Sequence, residues 1–177
     1  TLDLLRNSVT KLPDSIGQLT NLTAINMSGC PLGTLPDSFT QLTALTQLKM
    51  NSCGLHSLPD TMGNLTSLQY IELYANALTT LPESTNQLTA LKGLNVGRNP
   101  IQNIPKGLST ITIDQSEWER LHQSICQSTT MTTLCVRGLG KIGMPKEIGN
   151  LVNLKELYLR SSSLSELPAE FGQLTQL

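Results

Sequence analysis

Over residues 68–90, LQYIELYANALTTLPESTNQLTA, the apolar positions fit neither a helix nor a strand along the whole stretch. Leu68, Ile71, Leu73, Asn76, Leu78 and Leu81 are separated by three, two, three, two and three residues, and Pro82 follows at once. A helix repeats near 3.6 residues and a half-buried strand repeats at 2. This mixed spacing predicts a short strand, a tight turn at the asparagine and a looser return limb. The skeleton recurs mostly at 23-residue steps, and aligning on the strand gives eight units.

In that alignment the first inward strand position reads Leu2, Ile25, Leu48, Ile71, Leu94, Ile111, Leu134 and Leu157. The second, two residues on, reads Leu4, Met27, Met50, Leu73, Val96, Ile113, Val136 and Leu159. Both point the same way because side chains alternate along a strand. Three residues later a turn slot holds Asn7, Cys30, Cys53, Asn76, Asn99, Ser116, Leu139 and Ser162. Asparagine there can bond the backbone of adjacent turns and satisfy buried amides. Leu139 cannot, so the seventh turn is expected to be irregular, as the GLGKIG run from Gly138 to Gly143 also suggests.

Six return limbs share one phrase: LPDSIGQL, LPDSFTQL, LPDTMGNL, LPESTNQL, MPKEIGNL and LPAEFGQL. Proline suits the first position of a helical turn, and Asp14, Asp37, Asp60 and Glu83 follow it where a carboxylate meets a helix's positive end. Residues 94–143 depart from the pattern. The step from Leu94 to Ile111 is only 17 residues, and the next unit returns through SEWERLHQSICQST. Ser116 and Glu119 look like a capping box, and Trp118, Leu121 and Ile125 share a helical face. An α-helix over about 117–127 is expected on the convex side, with Trp118 filling a core widened by the short fifth unit.

The phrase and period resemble leucine-rich repeats, and specifically the 23-residue LPxxIGxL class found in Scribble, Erbin, plant Ras-group and bacterial proteins. The IPKGLSTITI segment also resembles the shorter phrase of bacterial effector repeats. The resemblance implies a curved α/β solenoid with its parallel sheet on the concave face and short helical turns on the convex one. Each unit would contact mainly its neighbours. It implies a protein-recognition module, or alternatively the substrate-recognition domain of a larger enzyme such as an effector ubiquitin ligase. Residues 1–177 are expected to be a single domain cut from a longer chain.

Composition narrows the function. Thirty-three leucines against six aromatics suit a core of one aliphatic side chain per layer. A net charge of -1 and a pI near 6.1 exclude the cationic excess that nucleic acid or a membrane surface would need. No apolar run reaches the roughly 18 residues of a transmembrane helix. The four cysteines show no paired spacing, which favours a reducing, cytoplasmic compartment. The Asn-x-Ser/Thr triplets at Asn21, Asn26 and Asn64 weigh against it, though two of them belong to the repeated N-L-T phrase. No metal or cofactor is implied. His56 and His122 lack an evident nucleophilic partner, and Cys135, expected to be exposed on its strand, lacks a base, so the chain is not read as an enzyme.

The outward strand positions carry the functional signal. They hold 32 of the 177 residues, yet contain all three tyrosines and four of the five arginines. Tyrosine and arginine are the side chains that dominate interface hot spots. The expected partner is a protein or peptide on the concave sheet. Its contacts centre on Tyr70, Glu72, Tyr74 and Arg98, flanked by Lys49 and Asn95, with Arg137, Tyr158 and Arg160 as a second cluster. Register sets Tyr70 beside Gly93 and Tyr74 beside Gly97, which predicts two rings beside a bare shelf, the alternative being that the rings fold over the glycines and close it. Glu72 is expected to pair with Lys49. Arg137 and Arg160, adjacent in one column, are expected either to hold a carboxylate or phosphate of the partner or to be neutralised by Asp114 and Glu156.

Overall fold

The computed structural model describes residues 1–140 and 143–177. Eight strands lie in chain order in one parallel sheet. They are β1 (Leu2–Asp3), β2 (Ala24–Asn26), β3 (Gln47–Lys49), β4 (Tyr70–Glu72), β5 (Gly93–Asn95), β6 (Thr110–Asp114), β7 (Thr133–Gly140) and β8 (Glu156–Ser162). Leu48 pairs with Ile71, Ile71 with Leu94, and Leu134 with Leu157, so the period along the chain is the register across the sheet. The result is the expected curved solenoid.

Stacking the inward pairs makes the core. From Ile25 and Met27 through to Leu134 and Val136, every such side chain is 2% exposed or less. Burying an aliphatic side chain of this size gains about 1.5–3 kcal/mol before entropy is counted. At the two ends of the sheet Leu2, Leu4, Leu157 and Leu159 are half-buried, because a neighbour covers them on one side only.

The turn slot closes each layer. Asn76 accepts from the amides of Cys53 and Leu55 at 2.9 and 3.0 Å and donates to the carbonyls of Met50 and Leu73, both at 2.8 Å. Asn99 repeats the arrangement one unit on, accepting from Leu78 N and donating to Leu73 O and Val96 O. Where cysteine fills the slot the thiol substitutes a weaker donor: Cys30 Sγ lies 3.0 Å from Leu4 O, and Cys53 Sγ lies 3.1 Å from Met27 O.

The return limbs form 3-10 turns at Asp14–Gln18, Asp37–Gln41, Met62–Asn64, Glu83–Gln87, Lys146–Asn150 and Ala169–Gln173. The prolines sit one residue earlier than expected. Pro13, Pro36, Pro82, Pro145 and Pro168 occupy the cap position with extended ψ, and the next residue opens the turn. Glycine recurs in these limbs for a packing reason. A Cβ at Gly17, Gly63 or Gly149 would strike the backbone of Ser38, Ser84 or Glu170 in the following limb.

The irregular units behave as their sequence suggests, with a shift in detail. The fifth has no helical segment, and β5 and β6 pair only through Asn95 and Thr112. The helix α1 spans Gln115–Ile125, two residues ahead of the expected range, because β6 runs straight through Asp114 into it. The capping box is therefore Asp114 with Glu117, not Ser116 with Glu119, and Asp114 N donates to Glu117 Oε2 at 3.0 Å. Trp118, Leu121 and Ile125 form the buried face, with Trp118 1% exposed, so the tryptophan is core. In the seventh unit the register slips between Arg137 and Gly140, as the buried Leu139 in the turn slot leads one to expect. Lys141 and Ile142 of the GLGKIG run lie outside the described residues.

All four cysteines are free and buried. Burial raises the Cys53 thiol, and burial together with the charge of Glu147 pushes Cys126 up to about 12. The thiolate is the reactive form, and a pKa raised above the ordinary thiol value keeps both groups protonated at pH 8. Native protein at pH 8 is expected to leave Ellman's reagent unreduced and to release four equivalents of thiol in guanidinium. A fast stoichiometric reaction of the folded protein would contradict this burial.

Candidate functional site

The concave face presents the outward residues in the predicted columns: Lys49 pairs with Glu72, Glu72 with Asn95, Cys135 with Tyr158, and Arg137 with Arg160. Tyr70 and Tyr158 are among the few large hydrophobic side chains left exposed, at 45% and 41%. Lys49, Arg98 and Arg160 are exposed, and Glu72, Tyr74 and Arg137 are half-buried.

The bare shelf does not form. The Tyr70 ring lies over Gly93, where a Cβ would meet its Cδ1 at 3.2 Å. Gly97 is covered from the other side by Asp114, whose Oδ1 would sit 3.0 Å from a Cβ there. A strand position without a side chain is a flat apolar patch, and the neighbours fold down onto it. Tyr74 packs instead with Arg98, whose guanidinium carbon stands 5.4 Å from the ring centroid in cation–π geometry.

Two other expectations are corrected. Glu72 makes no ion pair with Lys49. Its carboxylate accepts from Asn95 Nδ2 at 2.8 Å, and Asn95 is fixed in turn because its Oδ1 accepts from Gly97 N at 3.2 Å. That fixed amide outcompetes an exposed lysine, whose ordering costs about what a surface ion pair returns. Asn95 is buried and holds Glu72 in place. Cys135, expected to be exposed, is buried on its strand.

The second cluster divides. Arg160 turns back over Tyr158 of its own strand, 5.2 Å from the ring centroid. Arg137 faces the other way and joins Tyr74 and Arg98 around a cleft of about 550 Å3. Asp114, Gln115, Ser116, Glu119, Gly138 and Ser161 complete the lining. The cleft exists because β6 runs into α1 with no intervening turn, which brings the amino end of the helix to the rim of the sheet. Asp114 lies 3.8 Å from Arg98 Nε. Burial, and then the charge of Glu117, raises its carboxyl above the ordinary aspartate range, while Arg137 and Arg98 oppose that rise.

Arg98 adopts a left-handed backbone, with φ of 55°. Arg6, Ser52, Ala75 and Ser161 do the same at the matching position, and Gly29 and Gly138 take it without strain. The conformation therefore belongs to the repeat, which lifts each such side chain clear of the strand end.

The sequence sets Asp114 beside Arg137, but the part of the site missed there is its place at the first turn of α1. Asp114 stands in the outward column, but its capping role was hidden by the assignment of the helix start to Ser116. The signal was present in the Asp114–Glu117 spacing, which satisfies the same capping pattern.

Among the described residues no group of three or more His, Cys, Asp or Glu side chains could hold a metal ion, and no helix is long and apolar enough to cross a membrane. His56 Nδ1 faces Gly33 O, and His122 Nδ1 faces Trp118 O at 3.1 Å.

A family model described as leucine-rich repeat region matches residues 1–137, and a leucine rich repeat model matches residues 153–174. No curated protein matches the chain. Among solved structures, the leucine-rich repeat domain of the type III effector XCV3220 (XopL) is 22% identical with a TM-score of 0.61, over 93% of this chain and 70% of that one. PEPR1–AtPEP1 is 26% identical with a TM-score of 0.59, over 94% of this chain and 25% of that one. Internalin C2 of Listeria monocytogenes is 23% identical with a TM-score of 0.56, over 99% and 68%. The chain also spans 63% of a Leptospira interrogans leucine-rich-repeat protein.

The expectation of a cytoplasmic domain is corrected by these relatives. The solved structures that the chain resembles include a plant peptide hormone receptor, RGFR1, 19% identical with a TM-score of 0.52. The physical reason lies in the cysteines. Cys30 and Cys53 occupy the turn slot and bond backbone carbonyls, so their lack of disulfide partners reflects the repeat and carries no information on redox compartment.

Proposed function

The chain belongs to the leucine-rich-repeat family, and from that premise we propose that it is a recognition module whose concave sheet binds a protein or an extended peptide. The observation that carries this reading is the gathering of Tyr70, Tyr74, Tyr158, Arg98, Arg137 and Arg160 on one face, with Tyr74, Arg98 and Arg137 lining a cleft at its rim. These side chains present large contact area at small entropic cost. Seven strand steps of about 4.8 Å span about 34 Å, enough for a standard-size interface. PEPR1 in its structure is held with AtPEP1, and RGFR1 with RGF2, which supports a peptide as the partner class. Within the family, the six LPxxIGxL-like limbs favour the 23-residue class. We take residues 1–177 as one domain with no chemistry of its own. In a longer protein it would serve as the recognition half, and the short IPKGLSTITI unit favours an effector-type chain for that second reading.

Affinity capture with the wild type and with Tyr70→Ala/Tyr74→Ala tests the reading. A partner retained by the wild type and lost by the variant, with an unchanged melting temperature, is the expected result. Equal capture by both would place the contact elsewhere.

A further inference from the structure

The rim cleft sets Arg98 and Arg137 beside Asp114 and Glu119, and a long ion pair, Arg98 with Asp114, joins the two signs. Arg98 and Arg137 both line it, and among the described residues neither guanidinium donates a hydrogen bond. Each guanidinium presents five N–H groups in a planar fork. The nearest anion, Asp114, stands at 3.8 Å from Arg98 Nε, beyond hydrogen-bond distance. Asp114 is also committed elsewhere, since it caps α1 and lies against Gly97.

We propose that this cleft binds the carboxylate of a partner's aspartate or glutamate, which engages Arg98 and Arg137 in place of Asp114. The proposal rests on the reading of the sheet as a recognition surface and specifies what that surface selects. A carboxylate matches the guanidinium fork in two parallel N–H···O bonds. The amino end of α1 adds a favourable field at the same rim. A phosphate dianion fits less well, because Asp114 and Glu119 also line the cleft and would repel its second charge. A cationic side chain would face both arginines, while Glu119 is already bonded by Gln115 Nε2 at 2.7 Å. The Tyr74 ring beneath Arg98 holds that guanidinium over the sheet, where an extended segment would pass.

Asp114 is the internal competitor, and this gives the proposal a signature of its own. Asparagine caps a helix as well as aspartate does. Asp114→Asn therefore keeps α1 in place while removing the competing charge.

A random dodecapeptide display library panned on the wild type provides the probe. Selected peptides are expected to share an acidic residue. Changing that residue to its amide should weaken binding at least tenfold on the wild type and little on Arg98→Gln/Arg137→Gln. The unmodified peptide should bind Arg98→Gln/Arg137→Gln at least tenfold more weakly and Asp114→Asn several-fold more tightly. Because the amide peptide is measured on unaltered protein, misfolding of a variant cannot imitate the result. Selected peptides without a shared acid, or acidic peptides held equally by Arg98→Gln/Arg137→Gln, overturn the proposal. If such peptides are still lost on Tyr70→Ala/Tyr74→Ala, the concave-face reading survives without it. Inorganic phosphate that competes better than acetate at equal concentration overturns the carboxylate assignment. A library that yields no binder counts against both.

Discussion

Asn76→Ala is expected to lower the free energy of unfolding by about 3–6 kcal/mol, since leaving a buried polar group unpaired costs about 1–3 kcal/mol. Four backbone groups depend on this one amide: the N–H of Cys53, the N–H of Leu55, and the carbonyls of Met50 and Leu73. All are buried, so water cannot replace the lost partner without opening the turn. The four penalties will not simply add, because removing one side chain lets the turn relax as a unit. Asn99 also donates to Leu73 O and would keep that carbonyl paired. Even so, the loss is a large fraction of a typical domain's stability of about 5–15 kcal/mol. Urea melts followed by far-ultraviolet circular dichroism measure it. A midpoint within error of the wild type would show that the asparagine ladder is dispensable.

Trp118→Ala is expected to cost about 3–5 kcal/mol, the usual range for removing a large buried aromatic. Trp118 is 1% exposed on the buried face of α1 and is the largest fully buried side chain of the core. Solenoid units contact mainly their neighbours, so the damage should start in the fifth to seventh units. Trp118→Phe keeps most of the volume and should cost much less. As the sole tryptophan, residue 118 also reports on this region by fluorescence. In the wild type, emission and circular dichroism should give one transition. In a Leu121→Ala variant, which weakens the same packing but keeps the probe, fluorescence should change at lower urea. Coincident transitions in that variant would mean that α1 and the sheet unfold as one body.

The parts of this molecule that were legible in the sequence are those that repeat. Ile71, Leu73, Asn76 and Leu78 recur at matching positions, and in a parallel stack a sequence period becomes a spatial register. That is why Tyr70 could be set beside Gly93, and Arg137 beside Arg160, from the alignment alone. What escaped is what happens sideways from the register. Whether Tyr70 stands up or lies over Gly93, and whether Arg160 reaches Arg137 or folds over Tyr158, depends on which neighbour offers a flat face or a ring. Spacing along the chain does not encode that choice. The helix start was missed by two residues for a related reason: Asp114 and Ser116 both begin plausible capping patterns. The extension of β6, which needs the pairing of Asp114 with Arg137, decides between them. The compartment was misread because the free thiols of the turn slot are there as backbone donors, so their lack of disulfide partners does not report on the compartment.

The central claim is that the concave face is the recognition surface, and Tyr74 lies at the junction of its tyrosines with the rim cleft. Calorimetric titration of a captured or selected partner into the wild type and into Tyr74→Ala tests it most directly. Hot-spot residues cost about 2 kcal/mol or more on truncation, which is roughly a thirtyfold loss of affinity. A loss of that size with an unchanged melting temperature is the result this account predicts. An affinity equal to that of the wild type would contradict it.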